Sequence, residues 1–219
     1  MSIGATDRRK RHSGFAFAAA IAACAAPVSA GTLDVRIVDA GGRPVSNAVV
    51  TLKPAKGAAP KPRVERGYQV IQRNMQFQPF VSIVPVGGAV AFPNLDGFRH
   101  HVYSFSKAKR FELKLFAKDQ SRSVTFDRPG VVAIGCNIHD RMSAYIFVTD
   151  TVWTTRSGAN GAVTFRDTPA GAYVIQVWHP YLRAPGGVLS RTASSGADRS
   201  ESFKLGLRPP PMHHPGGYR

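Results

Sequence analysis

Thr125-Phe126-Asp127-Arg128-Pro129-Gly130-Val131-Val132-Ala133-Ile134-Gly135-Cys136-Asn137-Ile138-His139-Asp140-Arg141-Met142 is the stretch on which the reading of this chain turns. A Pro-Gly turn opens it. The apolar run that follows, Val132 to Gly135, reads as a strand bounded by turn residues. That strand leads directly into Cys-x-x-His-x-x-Met, so sulfur and imidazole groups crowd the end of one β element.

The same two-residue period recurs on both sides. Leu33, Val35 and Ile37 alternate with Asp34 and Arg36, Phe111, Leu113 and Leu115 alternate with Glu112 and Lys114, and Tyr173, Ile175 and Val177 repeat the pattern. These are half-buried strands. Turn signals fall between them at Gly41-Gly42, Gly87-Gly88, Asp96-Gly97, Asn160-Gly161 and Pro169-Ala170-Gly171, and no helical stripe of useful length follows the first thirty residues. The fold class is therefore all-β, of sandwich type. Lys53 to Arg66, with three prolines, five basic residues and one acid, is a loop or linker, and the Pro209-Pro210-Pro211 tail is expected to be disordered.

The chain has 219 residues, 43% of them apolar, which is enough for a core and excludes wholesale disorder. Its 21 Gly and 16 Pro lack a three-residue period, so it is not collagen-like, and two cysteines make no disulfide scaffold. Arg8-Arg9-Lys10-Arg11, the apolar stretch Phe15 to Ala26 and the small residues Val28-Ser29-Ala30 read as an export signal cut after Ala30. The apolar run is too short for a transmembrane segment. A rival cut before Cys24 would leave a lipidated N-terminus. Cleavage after Ala30 removes four basic residues and one acid from a formal charge of +16, leaving about +13.

It also leaves one cysteine. In an oxidising compartment a lone Cys136 is buried and inert, paired between chains, or a metal ligand. Upstream, Phe92-Pro93-Asn94-Leu95-Asp96-Gly97-Phe98-Arg99-His100-His101-Val102 brings histidines to the start of another strand. One thiolate, two imidazoles and one thioether suit copper, and a trigonal His₂Cys set with a long axial Met is the blue-copper arrangement. Each residue alone has a plainer reading, as a buried thiol, a loop histidine or a core methionine. A zinc site is disfavoured because Met is not a zinc ligand, and covalent haem needs a Cys-x-x-Cys-His that the chain lacks.

At these residues the segment from about Tyr68 to Asp150 resembles the cupredoxins, in particular the plastocyanin, pseudoazurin and amicyanin group, with the loop spacing closest to amicyanin. The resemblance implies a Greek-key β-sandwich holding one type 1 copper, with His100, Cys136, His139 and Met142 as the four ligands. The family's His-Asn-Val pattern favours His100 over His101, which stands where relatives have Asn; neighbours on a strand face opposite ways, so only one of the pair can ligate. The flanks, Val35 to Val50 and Ser157 to Tyr173, resemble a carboxypeptidase-regulatory-like sandwich of transthyretin type. The implied organisation is a signal peptide at 1–30, a first flanking part at 31–66, the copper domain at 67–150, a second flanking part at 151–207 forming a smaller β-sandwich with the first, and a tail at 208–219. In the alternative arrangement both flanks decorate one enlarged sandwich.

The function implied is that of a periplasmic or otherwise exported carrier of single electrons. Similar two-part proteins carry the label of methylamine utilisation proteins. A copper chaperone or storage protein and a metal-free binding module are the alternatives, and no enzyme is expected because no second copper cluster or nucleophile constellation is present. Eight Lys/Arg against three acids between Arg99 and Arg128 point to an acidic redox partner, such as a c-type cytochrome or a dehydrogenase, with an anionic envelope surface as the plainer alternative. Nucleic acid is not expected, since no aromatic-interleaved basic motif is present.

Overall fold

The computed structural model describes Met1, residues 30–195 and residues 198–210. The export signal, Cys24 and the tail beyond Pro210 lie outside the described residues. In chain order the strands are β1 (Gly31–Asp39), β2 (Val49–Pro54), β3 (Tyr68–Gln69), β4 (Ile71–Arg73), β5 (Gln76–Gln78) and β6 (Val81–Pro85). They continue with β7 (Gly88–Pro93), β8 (His100–Ser106), β9 (Lys109–Phe116), β10 (Ser121–Phe126), β11 (Gly130–Gly135) and β12 (Ser143–Thr149). The last are β13 (Thr154–Arg156), β14 (Ala162–Thr168), β15 (Gly171–Trp178), β16 (Val188–Ser195) and β17 (Arg199–Leu205). No α-helix occurs among the described residues, and no helix is long and apolar enough to cross a membrane. The all-β reading of the sequence matches the fold.

The strands make two sandwiches. In the flanking one, β1 lies between antiparallel β14 and parallel β17, and faces a sheet ordered β13-β2-β15-β16. Strands from both ends of the chain thus share sheets, so neither end could bury its apolar face without the other. The alternation of β1 does what its period implies: Leu33, Val35 and Ile37 enter a core with Leu52, Phe165, Ile175 and Phe203, while Asp34 and Arg36 face water. Gly161 permits one close approach. It has φ +68°, the left-handed region, and a Cβ there would strike the Ile37 carbonyl.

The central sandwich sets a sheet β10-β7-β3 against a sheet β6-β12-β11-β8-β9. Its core holds Phe92, Phe116 and Phe126 with Val132, Ile134 and Ile146, and at one end of that core sit Cys136 and Met142. A third, smaller apolar cluster lies between the sandwiches. Trp178, at the end of β15, packs edge-on against Tyr145 and at a tilt against Phe147 of β12, with ring centroids 5.7 Å apart in both cases. Beside this contact Arg156 donates to the Val81 carbonyl (3.0 Å) and to Asn47 (3.0 Å), tying the flanking strand β13 to the central strand β6.

Candidate metal centre

β11 and β12 pair in register from Gly130 opposite Val148 to Gly135 opposite Ser143, so the segment 136–142 is the loop of a hairpin. The loop is pinned at its neck. Cys136 N–H donates to the Met142 carbonyl (3.1 Å), and Met142 N–H donates to the His139 carbonyl (2.9 Å). Cys136 and Met142 are thereby both buried, while His139 at the tip is half-buried. The two residues between Cys136 and His139 are exposed, as loop-tip residues should be.

His100 arrives from the start of β8. Its Nδ1 lies 3.2 Å from Nδ1 of His139, which in turn lies 3.7 Å from Cys136 Sγ. All three donor atoms fall within 4.8 Å of one another. The 3.2 and 3.7 Å separations are what nitrogen and sulfur ligands present when each stands roughly 2.0–2.3 Å from a shared ion. The chemistry of the donors fits as well, since a thiol and two imidazole nitrogens are the ligand types that suit copper.

Asp96 explains why His100 presents Nδ1. The Nε2–H of His100 donates to Asp96 Oδ2 at 2.7 Å, which fixes the tautomer and leaves Nδ1 bare. The same carboxylate accepts the N–H groups of Asn74 (2.6 Å) and Met75 (3.0 Å) at the tip of the β4–β5 hairpin. Burial works against ionisation of Asp96, but the Met75 amide, the His100 ring and the Asn74 amide together hold its carboxyl below the usual carboxylate range. Asn94, fully buried, shapes this turn: its side-chain amide donates to the carbonyls of Phe98 (2.8 Å) and Phe116 (3.0 Å), and its Oδ1 accepts the Asp96 N–H (3.0 Å). Burial, reinforced by the neighbouring His100, pushes the His139 pKa down against the opposing pull of Asp96, favouring the neutral ring that can ligate.

The structure therefore brings His100, Cys136 and His139 together and places Met142 in the same apolar cluster as Cys136. His101 goes elsewhere. It lies on the opposite face of β8, where its Nε2 meets Glu112 Oε1 at 2.9 Å. Phe98, 45% exposed, covers the centre from outside, with its ring 5.1 Å from that of His100 and 5.5 Å from that of His139. In the sequence Asp96 reads only as part of an Asp-Gly turn. A carboxylate four residues before a candidate ligand was the available signal.

No family model and no curated protein matches the chain. Among solved structures it is similar to an oxidised amicyanin variant at 22% identity, over 37% of this chain and 81% of that one, with a TM-score of 0.36. A purple cupredoxin from Nitrosopumilus maritimus is similar at 20% identity, over 38% of this chain and 100% of that one, with a TM-score of 0.35. A copper-containing nitrite reductase from Thermus scotoductus SA-01 is similar at 23% identity, over 54% of this chain and 28% of that one, with a TM-score of 0.37. The similar structures are cupredoxins.

Proposed function

We propose that the protein is an exported, mononuclear type 1 copper protein that carries single electrons between redox partners. The observation that carries this reading is the convergence of His100 Nδ1, His139 Nδ1 and Cys136 Sγ at one buried end of the central core. His100, His139 and Cys136 would hold copper, with Met142 as a weak fourth ligand. Bound copper supplies a one-electron change between Cu(II) and Cu(I). The chain supplies the rest: Asp96 orients His100, the pinned loop keeps Cys136 and Met142 apart at a fixed spacing, and Phe98 keeps water off the two imidazoles. A centre held in place on all sides has little to rearrange when its charge changes, which suits a carrier.

We assign the copper unit to residues 67–150, between flanking parts at 31–66 and 151–207, and an acidic c-type cytochrome or dehydrogenase as the partner class. An absorption spectrum after copper addition tests the reading. One copper per chain with an intense thiolate-to-Cu(II) band in the visible, lost on reduction and absent in Cys136→Ser, is the expected result. Stoichiometric copper uptake without that band would replace the carrier with a chaperone or storage protein, and a coloured Cys136→Ser would reject the ligand set.

A further inference from the structure

Residues of β8 and β11 that alternate with buried Val102, Val132 and Ile134 point away from the core, onto the outer face of the five-stranded sheet. The flanking sandwich covers part of that face, where Trp178 meets Tyr145 and Phe147. The rest is open. There Phe105 is 74% exposed, and Tyr103 stands between it and His101 with ring centroids 5.2 and 5.6 Å away. Ala133 and Gly135 lie beside them in a groove of about 590 Å³ that runs up to the Cys136 loop.

The absence of a side chain at Gly135 lets Tyr103 lie where it does. The two residues are register partners, and a Cβ on Gly135 would stand 3.1 Å from both Cζ and Oη of Tyr103. The phenol ring thus rests on the main chain of the residue immediately before Cys136. Charge surrounds this apolar ledge unequally. Two acids lie along the ledge, Glu112, which bonds His101 at 2.9 Å, and Asp140 at the Cys136 end of the groove, while Asp127 is paired with Lys109 at 3.0 Å. Exposed Lys107, Arg110 and Lys114 take part in no ion pair among the described residues, and Arg110 sits directly across from Phe105.

We propose that this open part of the sheet is a docking face for an acidic one-electron carrier, with Phe105 as the seated anchor and the cations around it as the complementary rim. The proposal rests on the reading of the chain as a copper electron carrier and adds where its partner sits. Charge complementarity selects the occupant: a second copy, itself about +13 after signal removal, would meet like charge, whereas an acidic partner is drawn to a cationic rim around an exposed ring. Docked here, the partner abuts Tyr103 and through it the main chain adjoining Cys136, a route separate from the Phe98 and Ile138 end beside His139.

The test uses the copper-loaded protein with an acidic c-type cytochrome at low salt, and anionic phosphatidylglycerol vesicles as a second probe. Amide shifts in the Cu(I) form are expected to cluster at Phe105, Arg110, Ala133 and Gly135. Phe105→Glu and Arg110→Glu are each expected to weaken cytochrome binding and slow electron exchange about tenfold or more, with the visible spectrum unchanged. Shifts confined to Phe98, Ile138 and His139, with both variants binding like the parent, would overturn the proposal. So would engagement of the same residues by the vesicles and not by the cytochrome. The shift map can be repeated on the metal-free chain, so that failure to take up copper, which would end the carrier reading, is distinguished from failure of the docking face.

Discussion

The two sandwiches obey one rule of construction and differ in what they bury besides hydrocarbon. In the flanking sandwich buried Ser157 and Thr168 serve the main chain: Ser157 Oγ accepts the Ala48 N–H at 3.0 Å and donates to the Val45 carbonyl at 2.8 Å, and Thr168 Oγ1 donates to the Gly31 carbonyl at 2.8 Å. In the central sandwich Asn94, Asp96 and His100 are buried side by side, and while Asn94 braces main-chain carbonyls, the hydrogen bonds running through Asp96 lead to His100, whose Nδ1 faces the His139 ring and the Cys136 sulfur. Polar burial that closes a turn is architecture. Polar burial that gathers two imidazoles and a thiol at one point is arranged for a ligand.

The sharpest way to break that distinction is to exchange the fates of the two adjacent histidines. His100→Ala is expected to abolish the thiolate-to-copper band outright, since it removes a donor that faces the other two. His101→Ala is expected to keep it, since that ring is bound to Glu112 on the other side of the strand. Titration of each variant with copper, followed by visible absorption, decides it; a colourless His101→Ala beside a coloured His100→Ala would show that the strand is read one residue out of register.

A second measurement asks how separate the two cores are. Phe126 and Phe165 are both buried, one in each core, and truncation of either to alanine is expected to cost about 3–5 kcal/mol locally. Because the two cores are joined by a small apolar cluster around Trp178 and a few hydrogen bonds from β13, Phe165→Ala is expected to lower a melting transition that leaves the copper band in place, and Phe126→Ala one that carries the band away. A single transition shared by both variants would show that the interface couples them into one unit.

What could be read from the sequence follows from what is local. Alternation along β1 and β15 gave the fold class because a strand's two faces are written into consecutive residues. Cys136, His139 and Met142 stood out because one short loop carries all three, and the pair at 100–101 because a strand offers only one of two neighbours to a given face. Asp96 was legible only as half of a turn, since its partners at Asn74 and Met75 reach it through a hairpin whose place depends on the closed sandwich. Tyr103 over Gly135 and Trp178 on Tyr145 are likewise cross-strand or between-sandwich facts with no local period to announce them.

Asp96 sharpens the comparison with a graded effect. Asp96→Asn keeps an acceptor for the His100 Nε2–H but removes the charge, and loss of such a carboxylate partner typically weakens metal binding by about 10–100-fold. The expected result is copper affinity reduced within that range, measured by competition with a chelator, together with a raised reduction potential because a less basic His100 supports Cu(II) less well. Asp96→Glu is expected to recover part of both. Unchanged affinity and potential in Asp96→Asn would demote the carboxylate to a brace for the β4–β5 turn.

The smallest effect belongs to the flanking sandwich. His179 follows β15, is buried, accepts the Tyr181 N–H on Nδ1 at 3.1 Å and packs edge-on against the Tyr181 ring. Burial pushes its pKa below the ordinary 6.5, only partly opposed by a hydrogen bond with the Ser46 main chain. Between the lowered native value and 6.5 the unfolded chain holds more protons at this residue than the folded one does, so folding stability rises with pH there. The contribution is fully present above 6.5 and is lost as pH falls through the native value. Urea unfolding of the flanking transition is thus expected to move to lower midpoints on acidification, and His179→Gln, which cannot titrate, to flatten that dependence while costing some stability at neutral pH through the lost contacts. An equally steep dependence in His179→Gln would assign the acid sensitivity to the central sandwich, where burial lowers the His139 pKa in the same direction.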